Sequence, residues 1–435
     1  MATSIMRLML TFFIGMVGTK GIAYDIKVEN QDGVTIYYNY INHGKELEVT
    51  FEKDGGYDVN LFYRGSVIIP EEVTHLGVSR KVTSIGSRAF RNCEELTNVS
   101  IPATVKVIGW GSFSDCRSLA SITIPNGVEK IGYHCFDNCI GLKSITIPKS
   151  TYFIEAGILA GCSSIETITV DNANKSYDSR DNCNAIIYTD TNELIAGCKN
   201  TIIPNGVVSI KQGAFERNQA LTTISIPNSV LEIGTYVFCE CTNLSSISIG
   251  EGVTKIGHYA FEKCTSLVNL TIPNGVVLID MGAFEYCSNL LSIHFGNSLV
   301  EIEAVAFEGC SSLNNITFSS SVNLGNRAFN LCNNITTVVL LCENLSIYGG
   351  FPRDTYNNAV LYVPVGTLNL YKESDSWGRF KHIVEGIPNN IVPAMSDNNM
   401  IYGIYSTCGV HRDKMEKGVN IVRYKDGTTQ KVIAK

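Results

Sequence analysis

Residues 253–275 read VTKIGHYAFEKCTSLVNLTIPNG, and this stretch of 23 residues is the clearest copy of a unit that recurs along most of the chain. Its phenylalanine, Phe261, has counterparts at steps of 23 residues in two runs, and Leu159 takes the same place in a copy without phenylalanine. The counterparts are Phe90, Phe113 and Phe136, then Phe215, Phe238, Phe284 and Phe307. A fixed period of this length is typical of a solenoid, in which successive repeats stack as coils.

The apolar positions of the unit change their spacing along its length. In the copy around Phe261 they are Val253, Ile256, Cys264, Leu267, Leu270 and Ile272. The early spacing near three favours a tight helical turn, and the late spacing of two favours a strand. Pro273 then ends the strand, because proline has no N–H for the sheet. Each unit therefore predicts one coil whose apolar side chains are buried between neighbouring coils.

We therefore predict a leucine-rich-repeat type of solenoid, mainly β with short helical turns. Its parallel β-ladder contains about eleven coils, with β-rich caps at both ends. The predicted segments are a signal peptide (residues 1–23), an N-terminal β cap (24–80), the solenoid (81–340) with a hairpin insert (171–200), a C-terminal cap (341–388), a linker (389–400) and a β-rich tail (401–435). The N-terminal cap could instead be a separate ligand-binding module.

The first 23 residues predict export. Arg7 precedes the apolar run 8–18, and Gly21-Ile22-Ala23 is a small-x-small cleavage site, so we expect the mature chain to begin at Tyr24. An uncleaved anchor is the alternative, although the apolar run is short for a membrane span. No cysteine precedes Cys93, which argues against an N-terminal lipid anchor. No later stretch predicts a transmembrane span, so we expect a cell-surface or extracellular protein.

Most of the 15 cysteines occupy one buried position of the repeat. They are Cys93, Cys116, Cys139, Cys162, Cys241, Cys264, Cys287, Cys310 and Cys332. Side by side in adjacent coils they are poorly oriented for disulfides, so we predict free thiols that act as small apolar fillers. In the insert, a two-residue turn at Asp190-Thr191 would place Cys183 opposite Cys198. This pair is either a disulfide or two free thiols.

Composition and motifs argue against several functions. The net charge of −7 offers no basic stripe for nucleic acid. His134 and Cys135 are adjacent, but Cys135 holds the repeat's alanine position, so we expect no catalytic residue there. Cys135 with Cys139, and Cys239 with Cys241, suggest metal ligands only weakly, because no CxxC pair occurs. We therefore expect a protein that is not an enzyme and that has no cofactor and no metal site.

The outward positions of the strands carry small polar side chains, which make this face the candidate binding site. The candidate residues are Thr123, Thr146, Ser225, Ser248, Thr271, His294 and Thr317. An adhesive face is one interpretation. A plain solvent-exposed parallel sheet is the other, because such side chains suit exposed strands. Ice binding is a remote alternative, since the array mixes Ser, Thr and Asn. A ligand could also bind the insert or the caps.

The pattern V-x-x-I-G-x-x-A-F-x-x-C-x-x-L-x-x-I-x-I-P, repeated between Lys81 and Leu340, resembles the BspA-like, or Treponema-type, leucine-rich repeat proteins. The tail around Asp426-Gly427 resembles the C-terminal sorting modules of such bacteria, with a simple capping hairpin as the alternative. The resemblance implies a surface adhesin with an extracellular protein partner, from the host matrix or another bacterium. It implies no catalytic residues. A surface glycan-binding protein in nutrient capture is the alternative.

Overall fold

The computed structural model describes residues 24–52, 63–341 and 350–386, and the backbone of four strands within residues 401–434. The predicted signal peptide (1–23) and linker (389–400) lie outside the described residues. Within the described part of the chain, no helix has the length and hydropathy to cross a bilayer.

The chain folds into a parallel β-solenoid of about 13 turns, which confirms the predicted fold class. Each regular turn contributes two short strands rather than the one that the sequence predicts. In the repeat of Phe261, the strand Lys255–Ile256 precedes the phenylalanine and the strand Asn269–Thr271 follows it. The structure therefore has two parallel ladders, one of two-residue strands and one of longer strands.

The segment around Phe261 is a series of turns, so the predicted helical turn is wrong. The N–H of Cys264 donates to the Phe261 carbonyl at 3.1 Å, but Tyr259 and Lys263 have φ angles of 53° and 56°. Left-handed residues cannot continue an α-helix. The N–H of Phe261 donates instead to the carbonyl of Ala283 in the next coil, at 2.7 Å. The turns thus add a third line of hydrogen bonds between coils.

The N-terminal strands close the first coil and join the solenoid. They are β1 (Ile26–Glu29), β2 (Thr35–Ile41), β3 (Glu46–Thr50), β4 (Gly65–Ile68), β5 (Glu72–His75), β6 (Val78–Ile85) and β7 (Leu96–Ser100). Strands β1, β2 and β3 pair antiparallel, as do β5 and β6. Strand β3 pairs in parallel with β6, and β4 with β7. The N-terminal segment therefore continues both ladders of the solenoid.

The next coils lead up to the insert. Their strands are β8 (Val107–Ile108), β9 (Lys130–Ile131), β10 (Ser144–Ile147), β11 (Phe153–Ile154) and β12 (Thr167–Val170). The insert contains β13 (Tyr177–Asp178), a 3₁₀ turn (Arg180–Asn182), β14 (Ala185–Tyr188) and β15 (Glu193–Gly197). Strands β14 and β15 form a hairpin in which Ile187 lies opposite Leu194, as the sequence predicts. Tyr188 pairs with Glu193, so the turn has four residues instead of two.

The hairpin is a partition between two apolar cores. Ala185, Ile187 and Leu194 pack into the core that follows the insert. Ile186, Ile195 and Ala196 pack into the core that precedes it. Since neighbouring side chains on a strand point to opposite faces, each face of the hairpin covers the end of one core. The insert is therefore built into the stack of coils.

The possible disulfide between Cys183 and Cys198 is not formed, and both are buried free thiols. A β-bulge between Ile186 and Ile187 shifts the hairpin register, so that Ala185 pairs with Gly197. A shift of one residue moves a side chain to the other face. Cys183 consequently lies in the core after the insert and Cys198 in the core before it.

After the insert the two ladders resume. Their strands are β16 (Ser209–Ile210), β17 (Thr223–Ile226), β18 (Glu232–Ile233), β19 (Ser246–Ile249), β20 (Lys255–Ile256), β21 (Asn269–Thr271), β22 (Leu278–Ile279), β23 (Ser292–His294), β24 (Glu301–Ile302), β25 (Asn315–Phe318), β26 (Asn323–Leu324) and β27 (Thr337–Leu340). Strand β15 pairs in parallel with β16, which connects the insert to the ladder of short strands.

The C-terminal region extends the ladder of longer strands. It contains helix α1 (Arg353–Asn358), β28 (Val360–Val363), helix α2 (Leu368–Lys372), a 3₁₀ turn (Trp377–Arg379) and β29 (His382–Glu385). Strands β27, β28 and β29 pair in parallel. The tail forms a separate antiparallel sheet of β30 (Ile401–Ser406), β31 (His411–Arg412), β32 (Gly418–Tyr424) and β33 (Thr429–Ala434). Strands β4, β28 and β29 lie in segments predicted as caps, and they account for turns beyond the expected eleven.

The interior is a column of stacked phenylalanine rings. The centroids of Phe238 and Phe261 are 5.0 Å apart, and those of Phe261 and Phe284 are 4.9 Å apart. A cysteine three residues after most of these phenylalanines is buried beside the column. These thiols are more than apolar fillers, because most of them donate a hydrogen bond to a backbone carbonyl. Cys287, for example, donates to the carbonyl of Phe261 in the preceding coil at 3.2 Å.

Candidate interaction surface

A line of small hydroxyl side chains runs along the outer face of the longer strands. We call it the hydroxyl rank, and it consists of Thr123, Thr146, Thr169, Ser225, Ser248 and Thr271, all of which are exposed. The parallel register places Thr146 beside Thr169 and Ser225 beside Ser248. Five of the seven predicted site residues therefore lie exposed at the same position of their coils.

The two halves of the hydroxyl rank differ in how many hydroxyls are free. Before the insert, the hydroxyls of Thr146 and Thr169 hydrogen-bond to each other at 2.8 Å. After it, the hydroxyls of Ser225, Ser248 and Thr271 make no hydrogen bond to the described part of the chain. A hydroxyl has one donor and two acceptor sites. These three residues can therefore exchange water for the polar groups of a partner.

The prediction that Thr317 is exposed is wrong. Its relative exposure is 4%, and in the register it lies between His294 and Val339. His294 is partly buried, and this burial lowers its pKa because it disfavours the charged imidazolium. Beyond Val339 the line continues with Tyr362. The C-terminal end of the outer face thus lacks the exposed small hydroxyls of the rank, and it includes an aromatic residue that was not predicted from the sequence.

An exposed isoleucine interrupts the hydroxyl rank at the insert. Ile202 has a relative exposure of 76%, and with Ser225 and Ser248 it lines an open depression of about 750 Å³. Ile202 was not predicted from the sequence, because the preceding insert interrupts the 23-residue period of the repeat. Pro204 could have identified Ile202 as an outward-facing residue. The residue two places before the proline of a coil points outward, as Ser225 does before Pro227.

A second cluster lies on the turns that precede the phenylalanines. The rings of Tyr236 and Tyr259 stack with centroids 5.4 Å apart and planes 9° apart. Tyr259 also covers Gly282, where a Cβ atom would lie 2.3 Å from the ring. Trp110, at the equivalent face of an earlier coil, is partly exposed beneath the guanidinium of Arg88, 4.0 Å from the ring centroid. These aromatic residues lie outside the strand face, the insert and the caps, and they were not predicted from the sequence.

The geometry offers no thiol chemistry at His134 and Cys135. The Cys135 thiol is buried and lies 3.4 Å from the hydroxyl of Ser112, and burial raises its pKa to about 12. The His134 ring instead faces Asp137, with Nδ1 at 3.4 Å from Oδ2. Cys239 is likewise buried, and its Sγ lies 3.5 Å from a carboxylate oxygen of Glu262, so its pKa is also raised. Thiols that stay protonated near neutral pH are poor nucleophiles and poor metal ligands.

The repeats match a described protein family. The family described as BspA type leucine-rich repeat region matches this chain in six copies, over residues 70–186, 191–279 and 254–351. The chain belongs to the BspA-type leucine-rich repeat family. This family consists of bacterial surface proteins. Its match begins before the predicted start of the solenoid at residue 81, in agreement with the pairing of β3 with β6 and of β4 with β7.

Solved structures of other bacterial proteins, including leucine-rich repeat proteins, are similar to this chain. The pneumococcal vaccine antigen PcpA has a TM-score of 0.54 at 15% identity, over 84% of this chain and 100% of that one. A leucine-rich repeat protein from Bacteroides ovatus has a TM-score of 0.49 at 22% identity, over 84% and 100%. A leucine-rich cell surface protein from Faecalibacterium prausnitzii has 0.42 at 24%, over 67% and 94%. At these identities the likeness concerns the fold alone. No curated protein matches the chain.

Proposed function

We propose that the protein is exported and acts as an adhesin that binds host-matrix or bacterial surface proteins through the hydroxyl rank around Ile202. The observation that carries this proposal is an exposed apolar side chain beside the free hydroxyls of Ser225 and Ser248. Protein interfaces combine an apolar centre with a polar rim that exchanges water for partner groups. The bacterial surface proteins of the same family are consistent with this role.

A binding screen tests the proposal. The full chain is passed over immobilised matrix proteins and fibrinogen, and over a glycan array. We expect saturable binding to at least one protein and a loss of about tenfold or more in affinity for Ile202→Glu, because a central apolar contact is replaced by a charge. Ile140→Glu is the matched control, since Ile140 is also exposed but does not line the depression around Ile202. Equal effects of both substitutions would show that the hydroxyl rank is not the binding site.

Binding to a surface glycan is the second candidate function, and the stacked Tyr236 and Tyr259 favour it. Aromatic rings present flat apolar faces, and such rings dominate contacts at many binding sites. Under this alternative the chain binds a glycan on the array and no immobilised protein. Tyr236→Ala then abolishes glycan binding while Ile202→Glu leaves it unchanged. The reverse pattern would assign binding to the strand face.

A further inference from the structure

The short-strand side of three consecutive coils contains a cluster that departs from the repeat. Position four before the phenylalanine is glycine in most coils, as at Gly234 and Gly257, but it is Asp280 and Glu303 in the next two. The repeat does not need carboxylates here, since Gly234 and Gly257 complete their coils without any side chain. His258, three residues before Phe261, lies next to both of these acids.

The three side chains converge on one point. One donor atom from each of His258, Asp280 and Glu303 lies within 4.8 Å of the other two. The imidazole Nε2 is 3.7 Å from Asp280 Oδ2, and Nδ1 is 4.0 Å from Glu303 Oε2. Glu303 is held from the other side, where its Oε2 accepts the N–H of Met281 at 3.0 Å. Imidazole nitrogen and carboxylate oxygen together suit divalent transition metals such as Zn²⁺, Co²⁺ and Mn²⁺.

The burial and hydrogen bonding of the Asp280 carboxylate point to a ligand. Its side chain is only 3% exposed, yet Oδ2 accepts no hydrogen bond of normal geometry from the described residues. The nearest cation is Lys255 Nζ, at 3.1 Å. Lys255 is partly exposed and also faces Glu232 Oε1 at 3.6 Å, so it can turn to that carboxylate. A buried carboxylate is costly unless a cation neutralises it, and the Lys255 ammonium that approaches Asp280 is shared with Glu232.

We propose that His258, Asp280 and Glu303 form a site for a divalent transition metal ion that links three consecutive coils. Zinc bonds of about 2.0–2.1 Å place tetrahedral donors about 3.3 Å apart. His258, at 44% exposure, and the partly exposed Glu303 therefore move toward Asp280 by about an ångström, and this movement lengthens the hydrogen bond from the Met281 N–H to Glu303 Oε2. One nitrogen of His258 takes the metal, and Lys255 moves to Glu232. Water completes the coordination, as at metal sites with three protein ligands.

Titration of the full chain with Co²⁺ in anaerobic buffer tests this site, because the visible spectrum of Co²⁺ distinguishes nitrogen and oxygen ligands from thiolate ligands. We expect one Co²⁺ per chain without a thiolate charge-transfer band, and a higher melting temperature that EDTA reverses. His258→Gln and Asp280→Asn should each weaken binding by about tenfold or more. Lys255→Met should strengthen binding, because it removes the competing cation.

Glu232→Gln is the matched control, since Glu232 contacts Lys255 but is not a proposed ligand, and it should leave tight Co²⁺ binding in place. His258 is the decisive position because its exposed ring can be replaced without disturbing the core. Melting temperatures in EDTA that equal the wild type show that each variant is folded. An absence of Co²⁺ binding by the wild type, unchanged binding by His258→Gln, or a thiolate band would overturn the proposal and leave an ion-pair cluster.

Discussion

The thiol of Cys264 donates a hydrogen bond to the backbone carbonyl of Phe238, with Sγ 3.1 Å from the oxygen. The same carbonyl accepts the N–H of Cys241 at 3.0 Å. The cysteine of one coil is thus tied to the phenylalanine of the coil before it. This contact recurs along the solenoid, so the cysteine position specifies how neighbouring coils align as well as filling space.

Replacement of Cys264 separates these two contributions. Cys264→Ala removes both volume and donor, and we expect it to lower the free energy of unfolding by about 1–2 kcal/mol. Cys264→Ser also removes volume but keeps a hydrogen-bond donor. With the Phe238 carbonyl as acceptor, the serine should cost no more than the alanine. Urea unfolding under reducing conditions measures both variants, and a serine variant that is clearly less stable than the alanine variant would argue against the hydrogen bond.

The buried thiols should make the protein sensitive to alkali. Burial raises the pKa of Cys287 and of Cys241 to about 12, from a usual value of 9.0. Between about pH 9 and 12 the unfolded chain loses these protons while the folded chain keeps them, so the free energy of unfolding falls as the pH rises. We expect the urea midpoint to decrease across this range and to be steady between pH 7 and 8.

The control for the alkali experiment is Cys287→Ala, which should show a shallower decrease than the wild type. A thiol reagent at pH 8 should leave Cys264 unlabelled in the native protein and label it in urea. Rapid native labelling of Cys264 would show that the cysteine positions are not buried.

Phe261→Ala should lower the free energy of unfolding by about 3–5 kcal/mol, because the surrounding rings cannot collapse into the space. Phe261 is fully buried and stacks between Phe238 and Phe284. Phe153→Ala is the matched control, since about half of the Phe153 side chain is exposed, and it should cost less than about 1 kcal/mol. Denaturant unfolding compares the two, and similar losses would contradict the inward column of phenylalanines.

Gly282→Ala should destabilise the coil that carries the aromatic cluster. Gly282 has a φ of +66°, and its added Cβ would lie 2.3 Å from the ring of Tyr259. Gly206→Ala is the control, because Gly206 also has a positive φ of +97° but open space around it. Both variants carry backbone strain of about 1 kcal/mol, and only Gly282→Ala also displaces the tyrosine. Melting temperatures of the two variants isolate the steric effect.

Much of the fold can be predicted from the sequence, because the apolar positions of each repeat identify the side chains that are buried between coils. The positions of Phe261 and Cys264 predict which side chains are buried, and the alternation from Asn269 to Thr271 predicts the longer strand. The two-residue strand at Lys255–Ile256 could not be predicted by periodicity, because two residues are too few to show an alternation. The predicted helical turn failed because left-handed residues such as Tyr259 direct N–H groups to the next coil.

The candidate sites were harder to predict than the fold. Exposure of Ser225 and Ser248 follows from strand alternation, which is local. The burial of Thr317 depends on its neighbours His294 and Val339 in other coils. The register of Cys183 depends on a bulge that the hairpin pattern does not reveal. Such features arise from contacts between coils, which a single repeat does not encode.

The hairpin that partitions the two cores also has a mechanical consequence. A protein that tethers a cell to a surface bears tension, and a stack of coils under tension parts where neighbouring layers share the least contact. On its C-terminal side, β15 meets β16 through two residue pairs, as many as join β16 to β18. Arg217 Nη2 also lies 2.6 Å from Asp137 Oδ1, so a side-chain contact passes over the insert from one half to the other. The insert would therefore transmit tension between the two halves as a regular coil does, although each half has its own apolar core.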